Sequence, residues 1–132
     1  MEKSFSILVI EDDAVMRAMI GMLLESAGHR PISIDSALAA PEILETRPVD
    51  LIVTDVVMPA KDGLEFIQEV RQKWPHLPII AISGGGDHLA GAYCLKTARS
   101  LGAAAALAKP FGDGEFLAAV QEVMARKAEA AK

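Results

Sequence analysis

Leu51-Ile52-Val53-Thr54, closed by Asp55, is a strand-length run that is apolar on both faces and ends on a carboxylate. Side chains alternate across a strand, so a run without a polar side suits a central strand covered by helices above and below. Three other short apolar runs also end on a group with chemistry. Ile7 to Ile10 leads into Glu11-Asp12-Asp13, Ile79 to Ile82 into Ser83, and Leu107 is followed closely by Lys109. As parallel strands, all four place these endings along one edge of a sheet, where open α/β folds form their ligand crevice. Acids, a hydroxyl and a lysine then converge, a set suited to binding Mg²⁺ and to holding a phosphoryl group on a carboxylate.

Working outward, apolar runs of strand length alternate with amphipathic segments of helix length, the pattern of repeated βα units. Strands are expected at about 5–10, 31–35, 50–54, 78–83 and 105–108, and helices at about 14–27, 36–46, 64–73, 89–101 and 114–129. Gly28 and Gly102 stop the first and fourth helices and Pro48 follows the second, each for backbone reasons. With 132 residues, 52% of them hydrophobic, a single domain over residues 1–132 with one ample core is expected. No apolar run approaches the roughly 20 residues of a membrane span, and Met1-Glu2-Lys3 does not open a signal peptide, so a cytoplasmic protein is expected. The lone Cys94 has no intramolecular disulfide partner, in keeping with a reducing compartment. A net charge of −5 argues against direct nucleic-acid binding, which needs a basic footprint, and favours protein partners.

The strings Ile7-Leu8-Val9-Ile10-Glu11-Asp12-Asp13, Asp55-Val56-Val57-Met58-Pro59, Asp62-Gly63 and Lys109-Pro110-Phe111, in this order at the ends of expected strands, make the chain resemble the receiver domain of two-component response regulators over nearly its whole length. The resemblance implies a flavodoxin-like fold, a doubly wound five-stranded parallel sheet of order 2-1-3-4-5 with helices on both faces. It implies a phosphoryl group passed to Asp55 from a histidine of a histidine kinase or phosphotransfer protein, with Mg²⁺ required. No output domain is expected within these residues.

The chemistry of each position agrees with that implication. A carboxylate attacking phosphorus approaches a group already rich in negative charge, so a divalent cation must bridge and neutralise the oxygens. Asp12 and Asp55 are the candidate direct ligands, with the Val57 backbone carbonyl a further one by resemblance and Glu11 acting through water. Crowding these acids without metal is expected to raise a carboxylate pKa. Asp13 reads as a helix cap. Lys109 supplies positive charge to the phosphoryl oxygens and Ser83 a hydroxyl donor. By resemblance, Ser83 is also the switch that moves toward the phosphate, and the Lys109-Pro110 bond is a place for a cis peptide.

Two departures from the family pattern stand out. Ala106 occupies the position, three before the lysine, where receivers commonly carry an aromatic reporter of phosphorylation. Gly84-Gly85-Gly86 follows Ser83 and reads as a hinge, since it lacks the Gly-Lys-Ser/Thr of a P-loop. In the first helix, Val15, Met16, Met19, Ile20, Met22, Leu23, Leu24 and Ala27 cover an arc of roughly 200°, about twice the apolar stripe of a one-sided helix. Those methionines either fill a broad core groove or remain exposed as an adaptable docking face, which by resemblance meets the helical bundle of a kinase or phosphotransfer protein. An aspartyl-phosphate phosphotransferase of the haloacid dehalogenase type is disfavoured, because it needs a second Asp where this chain has Val57. A pseudo-receiver that binds partners without phosphorylation is disfavoured by the complete set Asp12, Asp55, Ser83 and Lys109.

Overall fold

A computed structural model describes residues 4–56, 63–83 and 96–130. Five strands, β1 (Ser6–Ile10), β2 (Arg30–Ile34), β3 (Leu51–Asp55), β4 (Ile79–Ser83) and β5 (Ala105–Ala108), form one sheet of order β2-β1-β3-β4-β5. Every pairing is parallel, with Ile7 set between Pro31 and Leu51 and Asp55 beside Ile82. The helices are α1 (Ala14–Ser26), α2 (Ala40–Thr46), α3 (Gly63–Lys73), a helical stretch α4 at residues 96–100, and α5 (Asp113–Ala130). The elements therefore fall within a residue or two of their expected places. The exceptions are the second helix and the start of the fourth, whose residues 89–95 lie outside the described residues, as do Val57 and Gly84-Gly85-Gly86.

The second helix departs from expectation for a local reason. Instead of one helix over 36–46, a 3-10 turn at Ala37–Ala39, capped by Ser36 Oγ accepting from Leu38 N at 3.1 Å, precedes α2. Pro41, at the start of α2, has no N–H and its ring conflicts with the carbonyl four residues back. Proline is tolerated in a first turn and not deeper, so the α-helix starts just before it. Pro31 is likewise confined to β2, the edge strand, where a missing donor disturbs one neighbour only. Gly28 (φ 90°) and Gly102 (φ 118°) end α1 and α4 in the left-handed region, which an L side chain enters only under strain.

Alternation along the strands splits the core into two layers. Leu8, Ile10, Ile52, Ile79 and Ala81 pack against Leu44 of α2 and Phe66, Ile67 and Val70 of α3. Ile7, Val9, Leu51, Val53, Ile80 and Ile82 pack against Ile20 and Leu24 of α1 and Phe116, Val120, Val123 and Met124 of α5. β1, β3 and β4 are buried throughout, so no strand face of this central trio meets water, as the run at Leu51 required.

At the edge where the strands begin, a cavity of about 710 Å³ between α1 and α5 is lined by Phe5, His29, Asp50, Val120, Met124 and Lys127, among others. Its polar groups hold the strand starts together. Asp50 Oδ2 accepts from Ser6 N (2.8 Å), Lys127 Nζ donates to the Asp50 carbonyl (3.0 Å), and His29 Nδ1 accepts from Phe5 N (3.2 Å).

Gly63 opens α3 hard against the end of β3. A Cβ there would stand 2.4 Å from Val56 Cα and 2.7 Å from the Asp55 carbonyl oxygen, both backbone atoms with no freedom to rotate away. Gly63→Ala is expected to destabilise the protein by about 2–3 kcal/mol, the upper part of the range for forced overpacking, and to shift the amide resonances of Asp55 and Val56. Urea unfolding with an unchanged midpoint would contradict this close approach.

Candidate functional site

The site is assembled from four strand ends at the edge opposite the cavity. After β1, Glu11 N donates to the Ile34 carbonyl at 3.1 Å, tying the chain to the end of β2. Asp13 then caps α1, its Oδ1 accepting from Val15 N at 2.9 Å, the arrangement expected of an acid at that position. Asp55 closes β3, and Val56 N donates to the Ile82 carbonyl at 3.0 Å. Lys109 N donates to the Ser83 carbonyl at 2.8 Å, which sets the lysine beside the end of β4. The Lys109-Pro110 bond is cis. Phe111 stacks on the fully buried Phe116 of α5 with ring centroids 5.4 Å apart, pinning the loop that carries the lysine.

These elements bring Glu11, Asp12, Asp55, Ser83 and Lys109 to one crevice edge. Lys109 Nζ donates to Glu11 Oε1 at 2.5 Å and to Asp55 Oδ2 at 2.9 Å, so one ammonium is held between two buried carboxylates. Glu11 Oε2 accepts from Asp13 N at 3.2 Å. Carboxylate oxygens of Glu11, Asp12 and Asp55 lie within 4.8 Å of one another, with Asp12 exposed at the mouth. Ser83 is 2% exposed, and among the described residues its Oγ has no hydrogen-bond partner. A buried hydroxyl with nothing to bond calls for an explanation, and here it lies beside the Asp55 strand.

The electrostatics follow from burial and pairing. Burial raises the Glu11 carboxyl from its ordinary 4.5 to about 7, against the lowering by the Lys109 and Asp13 hydrogen bonds, while the charge of Asp55 adds to the rise. Desolvation therefore leads, and the acid crowding expected from the sequence is a lesser cause. At Lys109 burial pulls the pKa down, but the hydrogen bonds and charges of Glu11 and Asp55 outweigh it and leave the pKa raised.

A carboxyl whose folded pKa lies above its unfolded value contributes stability that is full below the unfolded pKa and lost as pH rises through the folded one. For Glu11 that window runs from 4.5 to about 7. In metal-free protein, Glu11→Gln is expected to gain about 2 kcal/mol on wild type between roughly pH 5 and 7.5. Urea unfolding at the two pH values checks it, and a gap that does not change with pH would contradict the assignment.

Two residues of this region were not singled out from the sequence for the parts they play. Arg17 of α1 folds back over the helix start, its Nη1 donating to the Glu11 carbonyl at 2.9 Å. Its position one helical turn after the cap Asp13 was the available signal. Gly63 stood in a quoted motif, but its backbone approach to Asp55 is visible only in three dimensions.

Fold and site together define a doubly wound α/β protein whose strand-end acids, lysine and buried hydroxyl share one crevice edge. The family model of the response regulator receiver domain matches residues 7–121. The chain belongs to that family, whose members are signalling proteins of two-component systems. It is 36% identical to the transcriptional regulatory protein FixJ of Azorhizobium caulinodans over 98% of this chain and 59% of that protein. A crystal structure of full-length FixJ from B. japonicum has a TM-score of 0.85 at 33% identity, covering 96% of this chain and 61% of that one. A response regulator receiver domain protein from Clostridium thermocellum has a TM-score of 0.85 at 26% identity, over 96% and 98% of the two chains. The chain thus spans about 59% of the FixJ relative's length. Among the described residues, no helix is long and apolar enough to cross a membrane.

Proposed function

We propose that this receiver accepts a phosphoryl group on Asp55 from a phosphohistidine of a histidine kinase or phosphotransfer protein, in an Mg²⁺-dependent reaction, and relays or switches a signal through protein contacts. The observation that carries the reading is the Lys109 ammonium held at 2.9 Å from Asp55, with the buried Ser83 hydroxyl, without a partner among the described residues, at the end of the neighbouring strand. An oxygen of the Asp55 carboxylate attacks phosphorus, the bond from phosphorus to the imidazole nitrogen breaks, and its electron pair returns to the ring. Lys109 donates to a phosphoryl oxygen, and Ser83 Oγ supplies a second donor.

The donor set fits Mg²⁺, a hard cation that takes carboxylate oxygens and keeps several waters. Glu11, Asp12 and Asp55 would hold it, with the Val57 carbonyl a further candidate. When bound, it neutralises charge between the carboxylate and the phosphoryl oxygens. Lys109, which bridges Glu11 and Asp55, adds positive charge at the same place.

The surface of α1 supports a helical protein partner. Val15 (69%), Met19 (48%) and Met22 (69%) are exposed, whereas Ile20 and Leu24 of the same helix are in the core. The wide apolar arc is therefore divided, and Met19 and Met22 do not fill a core groove. Incubating the protein with a small acyl phosphate and Mg²⁺ is expected to add one acid-labile phosphate per chain. No incorporation would overturn the reading. Met19→Glu is expected to leave that labelling unchanged while slowing transfer from a phosphohistidine protein by about tenfold or more, since a charge set into an apolar contact is left unpaired. Equal transfer rates would remove α1 from the docking surface.

A further inference from the structure

We infer that Arg17 is a positioning residue for the cation site, acting through the backbone on Asp12. The inference rests on the reading of Glu11, Asp12 and Asp55 as Mg²⁺ ligands. Arg17 Nη1 donates to the Glu11 carbonyl at 2.9 Å and stands at the long limit of a hydrogen bond, 3.5 Å, from the Asp12 carbonyl. Those carbonyls belong to the two peptide planes on either side of the Asp12 α-carbon. A donor that engages both planes sets the direction in which the Asp12 side chain leaves the chain.

The rest of the turn is held by other means. Glu11 N is bonded to Ile34, Asp13 N to Glu11 Oε2, and Arg17 N to the Asp13 carbonyl at 2.9 Å. The backbone donors on both sides of Asp12 are thus fixed, and Arg17 clasps the carbonyls. This matters most for Asp12, which is exposed and so has less packing to aim it than Glu11 or Asp55. Outer groups that orient ligands commonly change metal affinity by roughly 10–100-fold when removed.

The charge of Arg17 and its geometry predict opposite outcomes. A guanidinium near a cation site repels the cation, so if charge were its whole effect, removing it would tighten Mg²⁺ binding. If it positions Asp12, removing it loosens binding even though a repulsive charge has gone. Arg17→Met keeps the apolar stem and removes both charge and donors, while Arg17→Lys keeps the charge and one donor group.

The experiment is an Mg²⁺ titration of the metal-free protein followed through the amide resonances of Asp12 and Asp55, at a temperature where unfolding shows every variant to be folded. Arg17→Met is expected to weaken binding about tenfold, and Arg17→Lys to recover most of it. If Arg17→Met does not fold, Arg17→Gln takes its place with the same expectation. Wild-type binding with an equal or tighter Met or Gln variant overturns this inference and leaves the reading of the site intact. A wild type that binds no Mg²⁺ overturns the reading itself and this inference with it.

Discussion

Asp55→Asn is expected to abolish acid-labile phosphate incorporation from a small acyl phosphate, and chelation of the metal is expected to do the same to wild type. An amide oxygen has the shape of a carboxylate oxygen but carries no negative charge, so its attack on phosphorus is lost. Asp12 lies in the same cluster but is exposed and not among the groups Lys109 contacts, whereas Asp55 is 5% exposed with Oδ2 at 2.9 Å from the ammonium. The fold is expected to survive the substitution, because Glu11 still pairs with Lys109. Phosphate counting by intact mass, with an unfolding curve for the variant, checks both statements. Full labelling of Asp55→Asn would remove Asp55 as the acceptor.

Lys109→Met is expected to have the largest effect on stability in metal-free protein, a loss of about 3 kcal/mol near neutral pH. Breaking a buried ion pair by deleting one partner typically costs roughly 3–5 kcal/mol, because the other charge is left buried and uncompensated. Here two carboxylates, Glu11 and Asp55, lose their shared cation. The pH dependence has a definite sign. Removing Lys109 takes away a cause that lowers the Glu11 pKa, so the deficit shrinks as pH falls through about 7, where Glu11 takes up a proton, and widens as pH rises. Adding Glu11→Gln to Lys109→Met is expected to recover more than half of the loss, a coupling that a double-mutant cycle measures directly. Wild-type stability for Lys109→Met at pH 7.5 would show that the buried pairing carries no net charge interaction.

Much of this was legible because the relevant signals are local. The all-apolar run at Leu51 placed a strand inside a two-layer core, and the endings Asp55, Ser83 and Lys109 followed from where strands stop. The hydrophobic period that predicts one helix over 36–46 runs through Pro41, while the missing N–H at that residue decides where the α-helix can start. The division of the α1 arc could not be read, since periodicity gives the width of an apolar face but not how much of it the neighbouring α5 and sheet cover.

The amino-acid sequence by itself determined the alternation of elements, the central strand, the helix stops at Gly28 and Gly102, and the acids, hydroxyl and lysine that end the strands. These depend on period, backbone chemistry and residue type, all of which act over a few neighbouring positions. Only the tertiary structure decided that Glu11 is fully buried and bound to a lysine 98 residues away, that its pKa rises chiefly through desolvation, that Arg17 clasps the carbonyls beside Asp12, and that Gly63 stands against the Asp55 backbone. Desolvation and long-range pairing are properties of the packed interior, and they have no value until the strands have been brought side by side.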